Sequence, residues 1–101
     1  MSKEISQKKN KPSSRYYLYI LKCHDSTLYT GITTDLERRI KEHNFSDLGA
    51  RYTHARRPVE LVYYKKMANR SLASREEYRV KNLTRPKKLE IIAFKASNID
   101  G

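Results

Sequence analysis

The sequence contains few residues that could form covalent cross-links or metal centres, with one cysteine and three histidines in 101 residues. The single Cys23 cannot form an internal disulfide, and the scattered histidines provide no set of zinc ligands. No apolar run approaches the roughly 20 residues that span a bilayer, and the amino-terminal lysines are followed by no apolar segment. We therefore expect a cytoplasmic protein with neither a transmembrane helix nor a secretory signal.

Acidic residues are outnumbered two to one, since 11 Asp and Glu stand against 22 Lys and Arg and give a formal charge of +11. Residues 1–14 carry +3 of this charge and the remainder carries +8. A small domain with such a surplus favours an anionic polymer as its partner. Basic side chains that merely keep the protein soluble are the alternative, and membrane-surface binding is disfavoured because the predicted helices lack a broad apolar face.

The length predicts one domain with a single small core. Residues 1–14 are polar, lack any period and end in Pro-Ser-Ser, which predicts a disordered basic arm. The folded domain is expected over residues 15–95, with a short tail over 96–101.

The predicted elements follow the order β, β, α, β, α, α. Residues 16–22 and 27–32 are rich in Tyr, Leu, Ile and Thr and are separated by turn residues, which predicts a β-hairpin. Residues 45–58 are expected to form a loop or a short irregular helix. A third strand over 59–67, a helix over 70–83 and a last helix from Pro86 through "KKLEIIAF" complete an α+β domain. We expect a small three-stranded antiparallel or mixed sheet flanked by helices.

The first helix, "DLERRIKEH", is predicted to begin with a capping box formed by Thr34 and Glu37. Its helical periodicity directs Arg38 to solvent and places Arg39 and His43 at the rim of the buried stripe. In the hairpin, strand alternation puts Tyr19 on the face opposite Leu18 and Ile20. A rim position lets a side chain be braced by packing while still reaching a site.

Two short motifs, "YLY" at residues 17–19 and "YTG" at 29–31, resemble those of the GIY-YIG endonuclease superfamily. The first motif lacks the Gly and Ile of the family name but keeps its last tyrosine. The stretches "LYTGITTDLERRIKEHN", "GARYT", "RRPVELVY" and "REEYRVK" further resemble the small stand-alone bacterial YhbQ and YazA-like proteins. The likeness covers roughly residues 16–92.

This resemblance implies a catalytic set made of Tyr19, Tyr29, Arg39 and His43, with Gly31 closing the second motif. It implies that Tyr19 takes a proton from water, and that positive charge from Arg39 or a metal lowers its pKa, which is ordinarily about 10. Gly31 would let a helix or the substrate come close.

The resemblance also implies one Mg²⁺ or Mn²⁺ held by Glu77, because the family glutamate precedes an aromatic residue and stands four residues before a lysine, here Lys81. Glu76 is the rival ligand. Helical periodicity places Glu76 in the middle of an apolar stripe formed by Leu72, Ala73, Val80 and Leu83, and Glu77 at its edge.

The segment 51–57 mixes cations with an aromatic side chain, as expected where a nucleic-acid backbone is gripped. Its candidate binding residues, together with Lys81, are Arg51, Tyr52, His54, Arg56 and Arg57. The leading hypothesis is a metal-dependent endonuclease of low sequence specificity that acts on DNA rather than RNA, in repair or processing, with a possible protein partner that directs it. The alternatives are a binding module derived from this family with little or no cleavage, and an RNA-directed or ribosome-associated accessory protein.

Overall fold

The computed structural model describes residues 15–98. The predicted amino-terminal arm and residues 99–101 of the predicted tail lie outside the described residues. Within the described part, the last helix extends to Asn98, beyond the expected domain boundary at residue 95. None of the helices found between residues 15 and 98 is both long and apolar enough to cross a membrane.

Three strands form one antiparallel sheet, which confirms the α+β class. They are β1 (Tyr16–Lys22), β2 (Leu28–Thr33) and β3 (Glu60–Met67), and β1 lies in the centre of the order β2-β1-β3. The hairpin turn is stabilised by Asp25, whose carboxylate accepts hydrogen bonds from the amide and the hydroxyl of Thr27 at 3.1 and 2.6 Å. Because β1 has a neighbouring strand on each side, it is the best buried strand and the best placed to carry a rigid site.

Within residues 15–98, four helices accompany the sheet: α1 (Leu36–Phe45), α2 (Arg51–His54), α3 (Arg70–Lys81) and α4 (Arg85–Asn98). The short α2 lies in the segment predicted as a loop or short irregular helix. The predicted cap of α1 is wrong by one residue, since Asp35 rather than Thr34 accepts a hydrogen bond from the amide of Arg38 at 3.1 Å. A carboxylate at this position also complements the positive end of the helix dipole.

The two faces of the sheet bury different residues. Leu18 and Ile20 pack with Val80 of α3 on one face. Tyr19 and Leu21 form a second cluster on the opposite face, as strand alternation predicts, with partly buried side chains of α1 against it. Tyr19 is thus both a core residue and a candidate for the site.

The apolar stripe of α3 is narrower than predicted. Ala73 and Val80 are fully buried and Leu83 is half-buried, but Leu72 is exposed. The buried side of the helix is therefore limited to Ala73 and Val80.

Candidate active site

The ring of Tyr19 lies directly over Gly31, which is its partner across the β1–β2 ladder. A Cβ atom at Gly31 would stand 2.6 Å from the Tyr19 hydroxyl oxygen and 2.7 Å from its Cζ. Any side chain at position 31 would therefore displace the tyrosine. The space at Gly31, expected to admit a helix or the substrate, is occupied by Tyr19 itself.

A chain of hydrogen-bonded, buried side chains runs from β1 to α2 and consists of Tyr19, His43 and Thr53. The hydroxyl oxygen of Tyr19 is 2.9 Å from Nε2 of His43, and Nδ1 of the same ring is 2.7 Å from Oγ1 of Thr53. The Thr53 hydroxyl also lies 3.0 Å from the carbonyl oxygen of Ala50. His43, predicted at the rim of its helix, is in fact completely buried.

The burial of this chain perturbs both titratable groups. Burial raises the pKa of Tyr19 to about 12, although the nearby Arg39 guanidinium lowers it. Burial, and then repulsion by Arg39, lowers the pKa of His43 from 6.5 to about 4. Arg39 alone therefore does not bring the tyrosine pKa below its ordinary value, because desolvation of the charged form outweighs the attraction of this one cation; lowering by a metal stays a prediction. Both groups are neutral at pH 7.

Arg39 is oriented by acceptors in α1 and in the segment that follows it, and it also hydrogen-bonds the Tyr19 hydroxyl. Its Nη1 donates to the Glu42 carboxylate at 2.7 Å and to the carbonyl oxygen of Leu48 at 2.8 Å. Arg38 is half exposed, as predicted, and also pairs with Glu42, at 3.4 Å. The sequence analysis missed Glu42 as a support for Arg39, although the i,i+3 spacing on one helix was the signal that could have revealed it.

Tyr29 contributes a second ring to the site. Its ring packs edge-on against His43 with centroids 5.2 Å apart and is stacked on the ring of Tyr52 at 5.9 Å. The Arg56 guanidinium lies over the ring of Tyr52, 3.9 Å from the ring centroid, while its Nε donates to Asp25 at 3.1 Å. Through Arg56, these contacts connect Asp25 of the hairpin turn to Tyr52 of α2.

The remaining basic side chains of residues 51–57 differ in how far they are already paired within the protein. Arg57 donates to carbonyl oxygens at the end of α1, among them His43 at 2.6 Å and also Ser46. Arg51 is exposed, and exposed His54 lies 3.7 Å from Asp47. Nucleic-acid contact by this segment stays a prediction, and Arg51 is the cation that is most accessible for it.

The two adjacent glutamates of α3 have different partners. Glu76 is fixed by Arg79 at 2.6 Å and by Lys65 of β3 at 3.4 Å, and the Arg79 hydrogen bond is the main cause of its lowered pKa. Glu77 has an ion pair with Lys81 at 3.3 Å. The negative charge of Glu77 is also the smallest of the contributions that raise the pKa of Tyr19.

Metal binding by Glu77 stays a prediction, and its exposure and chemistry are compatible with it. Its side chain is about one-quarter exposed, and its carboxylate provides the hard oxygen ligand that Mg²⁺ and Mn²⁺ prefer. Between residues 15 and 98 there is no cluster of three or more His, Cys, Asp or Glu side chains that could hold an ion. An ion at Glu77 would therefore need water and substrate oxygens to complete its coordination.

Together these elements define a small α+β domain whose hairpin and first helix bring two tyrosines, a histidine and an arginine together. The family model described as the GIY-YIG catalytic domain matches residues 15–90. The chain belongs to the GIY-YIG family.

Its relatives include small proteins named UPF0213. The chain is 52% identical over 77 residues to a UPF0213 protein of Desulfotalea psychrophila, covering 76% of this chain and 70% of that protein. It is 51% identical over 80 residues to one of Clostridium perfringens, covering 79% and 85%. The solution NMR structure of the UPF0213 protein BH0048 from Bacillus halodurans is similar, with 44% identity, a TM-score of 0.55 and coverage of 84% and 89%.

Proposed function

We propose that this protein is a metal-dependent endonuclease that hydrolyses phosphodiester bonds of nucleic acid, DNA in preference to RNA, with little sequence specificity. The observation that carries the proposal is the buried Tyr19–His43 hydrogen bond beside Arg39 and Glu77. A family model described as a catalytic domain supports it. A role in DNA repair or processing, with a protein partner that directs the enzyme, belongs to the same proposal.

The proposed proton transfer uses the neutral form of Tyr19. The tyrosine oxygen accepts a proton from the attacking water while its own proton passes to Nε2 of His43, 2.9 Å away. The hydroxide then attacks phosphorus, and the bond from phosphorus to the leaving oxygen breaks. A phosphate held near Arg39 would counter the positive charge that contributes to the low pKa of His43, so substrate binding makes the ring a better proton acceptor.

Two charged side chains complete the proposed site. Arg39 uses Nη1 for Glu42 and Leu48 and also hydrogen-bonds the Tyr19 hydroxyl, and we propose that the remaining donors of its planar fork hold phosphate oxygens. Glu77 would hold one Mg²⁺ or Mn²⁺, and such an ion, when bound, stabilises negative charge on the phosphate and the leaving oxygen.

A binding module with little or no cleavage is the second candidate. The observation that favours it is the wide separation of the two pKa values, about 12 for Tyr19 and about 4 for His43, which makes proton transfer between them costly in the free protein. The net positive charge supports either candidate, because both require binding to a polyanion.

A cleavage assay with defined substrates distinguishes the two candidates. Purified protein is incubated with single-stranded, duplex, nicked and flapped DNA and RNA, in Mg²⁺, in Mn²⁺ or with chelator. The nuclease proposal predicts cleavage that chelator abolishes. Tight binding without cleavage of any substrate under every metal condition would instead establish the binding module.

A further inference from the structure

We infer that Thr53 is a positioning residue that sets the tautomer of His43 and thereby the direction in which the Tyr19 hydroxyl donates its proton. The consequence for cleavage rests on the proposed function. The tautomer itself is a property of the free protein and can be measured without any substrate.

The Thr53 hydroxyl has a single proton and can therefore donate only one hydrogen bond. Its oxygen lies 3.0 Å from the carbonyl oxygen of Ala50, which can only accept a hydrogen bond. The hydroxyl proton is therefore directed to that carbonyl. With the proton placed on that carbonyl, the 2.7 Å contact between Oγ1 and Nδ1 of His43 is a hydrogen bond that the ring donates.

A neutral imidazole carries one proton, so a protonated Nδ1 leaves Nε2 as an acceptor. The Tyr19 hydroxyl, 2.9 Å from Nε2, then donates to the ring. The tyrosine oxygen then keeps its lone pairs for acceptor roles, one towards the Arg39 guanidinium and one towards a water molecule. In the opposite tautomer Nε2–H would donate to the tyrosine oxygen, and the ring could not receive the proton of Tyr19.

A second neighbour of Nδ1 favours that opposite tautomer. The backbone N–H of Ala50 points at Nδ1 from 3.5 Å and would donate to an unprotonated nitrogen. This contact is at the long limit of hydrogen bonding, whereas the Thr53 contact is short. Thr53 therefore selects the Nδ1–H tautomer, whereas the backbone N–H of Ala50 alone would favour the Nε2–H tautomer.

Because the site is buried, the influence on the His43 tautomer depends on the Thr53 hydroxyl itself. His43 and Thr53 are 0% exposed and Tyr19 is 1% exposed. Bulk water cannot readily replace a missing hydroxyl at such a position. Thr53 also cannot contact a nucleic acid directly, so its effect must pass through the ring of His43.

The test compares Thr53→Val, which keeps the shape and removes the hydroxyl, with Thr53→Ser, which keeps the hydroxyl. Long-range ¹H–¹⁵N NMR of the free protein identifies the protonated ring nitrogen of His43. We expect Nδ1–H in the wild type and in Thr53→Ser, and Nε2–H in Thr53→Val. An Nε2–H tautomer in the wild type would overturn the inference even if Thr53→Val failed to fold, and so would an unchanged tautomer in folded Thr53→Val.

Cleavage provides the second measurement. Thr53→Val should lower kcat by about 10-fold or more with an unchanged Kd for DNA, while Thr53→Ser should stay within about threefold of the wild type. An altered tautomer with an unchanged kcat would overturn the positioning role and leave the nuclease proposal intact. A wild-type protein that cuts nothing would refute the nuclease proposal, and the NMR result would still decide the tautomer assignment.

Discussion

The complete burial of His43 predicts a loss of folding stability in mild acid. The pKa of this ring is lowered from 6.5 to about 4 in the folded protein, chiefly by burial. Between these values the unfolded chain binds a proton that the folded protein does not, so acidification favours unfolding. The contribution of neutral His43 is complete above pH 6.5 and is lost as the pH falls towards 4.

The size of this effect follows from the pKa difference. A shift from 6.5 to about 4 corresponds to about 3 kcal/mol in total at 1.36 kcal/mol per pKa unit. About 2 kcal/mol of this should be lost between pH 7 and pH 5. That interval lies above the ordinary range of carboxyl groups, so their protonation contributes little to the change.

Urea denaturation at pH 7 and pH 5 measures the effect, with His43→Gln as the matched control. The glutamine does not titrate but can still form hydrogen bonds, and the other two histidines are common to both proteins. The wild type should lose about 2 kcal/mol more than the variant between the two pH values. Equal losses in the two proteins would refute the argument that burial keeps His43 neutral.

Three further predictions concern the site and its surroundings. Gly31→Ala should push the Tyr19 ring from its place, costing about 1–3 kcal/mol in urea unfolding, and should suppress cleavage more than DNA binding; an unchanged rate would mean that this ring position is not needed. Arg39→Lys keeps the charge but loses the planar fork, so kcat should fall by more than about 10-fold while Kd changes little; a wild-type kcat would argue against phosphate recognition by the fork. DNA affinity should fall about linearly with log salt, and Arg51→Ala should reduce that slope by about 1; equal slopes would exclude a phosphate contact by Arg51.

Local sequence rules were sufficient for the elements and for the direction of several side chains. Alternation along β1 placed Tyr19 opposite Leu18 and Ile20, and helical periodicity separated exposed Arg38 from partly buried Arg39. These predictions were confirmed because each depends only on neighbours within one strand or helix. The predicted cap of α1 was wrong because Thr34 and Asp35 are both favourable N-cap residues, and sequence rules do not locate the start of a helix to within one residue.

The polar interior of the site could not be predicted in the same way. Thr53 reaches His43 only because the segment after α1 folds back on that helix, and Arg57 uses its donors on carbonyls that are 11 to 15 residues away in the chain. The pKa values of Tyr19 and His43 depend on the same packing, since burial is their largest cause. Such contacts between distant segments leave no periodic signal in the sequence.

The most direct test of the account compares single-turnover cleavage by the wild type, Tyr19→Phe and Glu77→Gln. The first change removes the proton acceptor and keeps the ring, and the second removes the negative charge at nearly constant volume. Tyr17→Phe is the matched control, since Tyr17 is a half-buried β1 residue that packs edge-on against Tyr64. We predict that both site variants fold and bind DNA but cut about 10²-fold more slowly or worse, while the control stays within a few-fold of the wild type. Metal-dependent cleavage at the wild-type rate by both site variants would contradict the assignment of the active site.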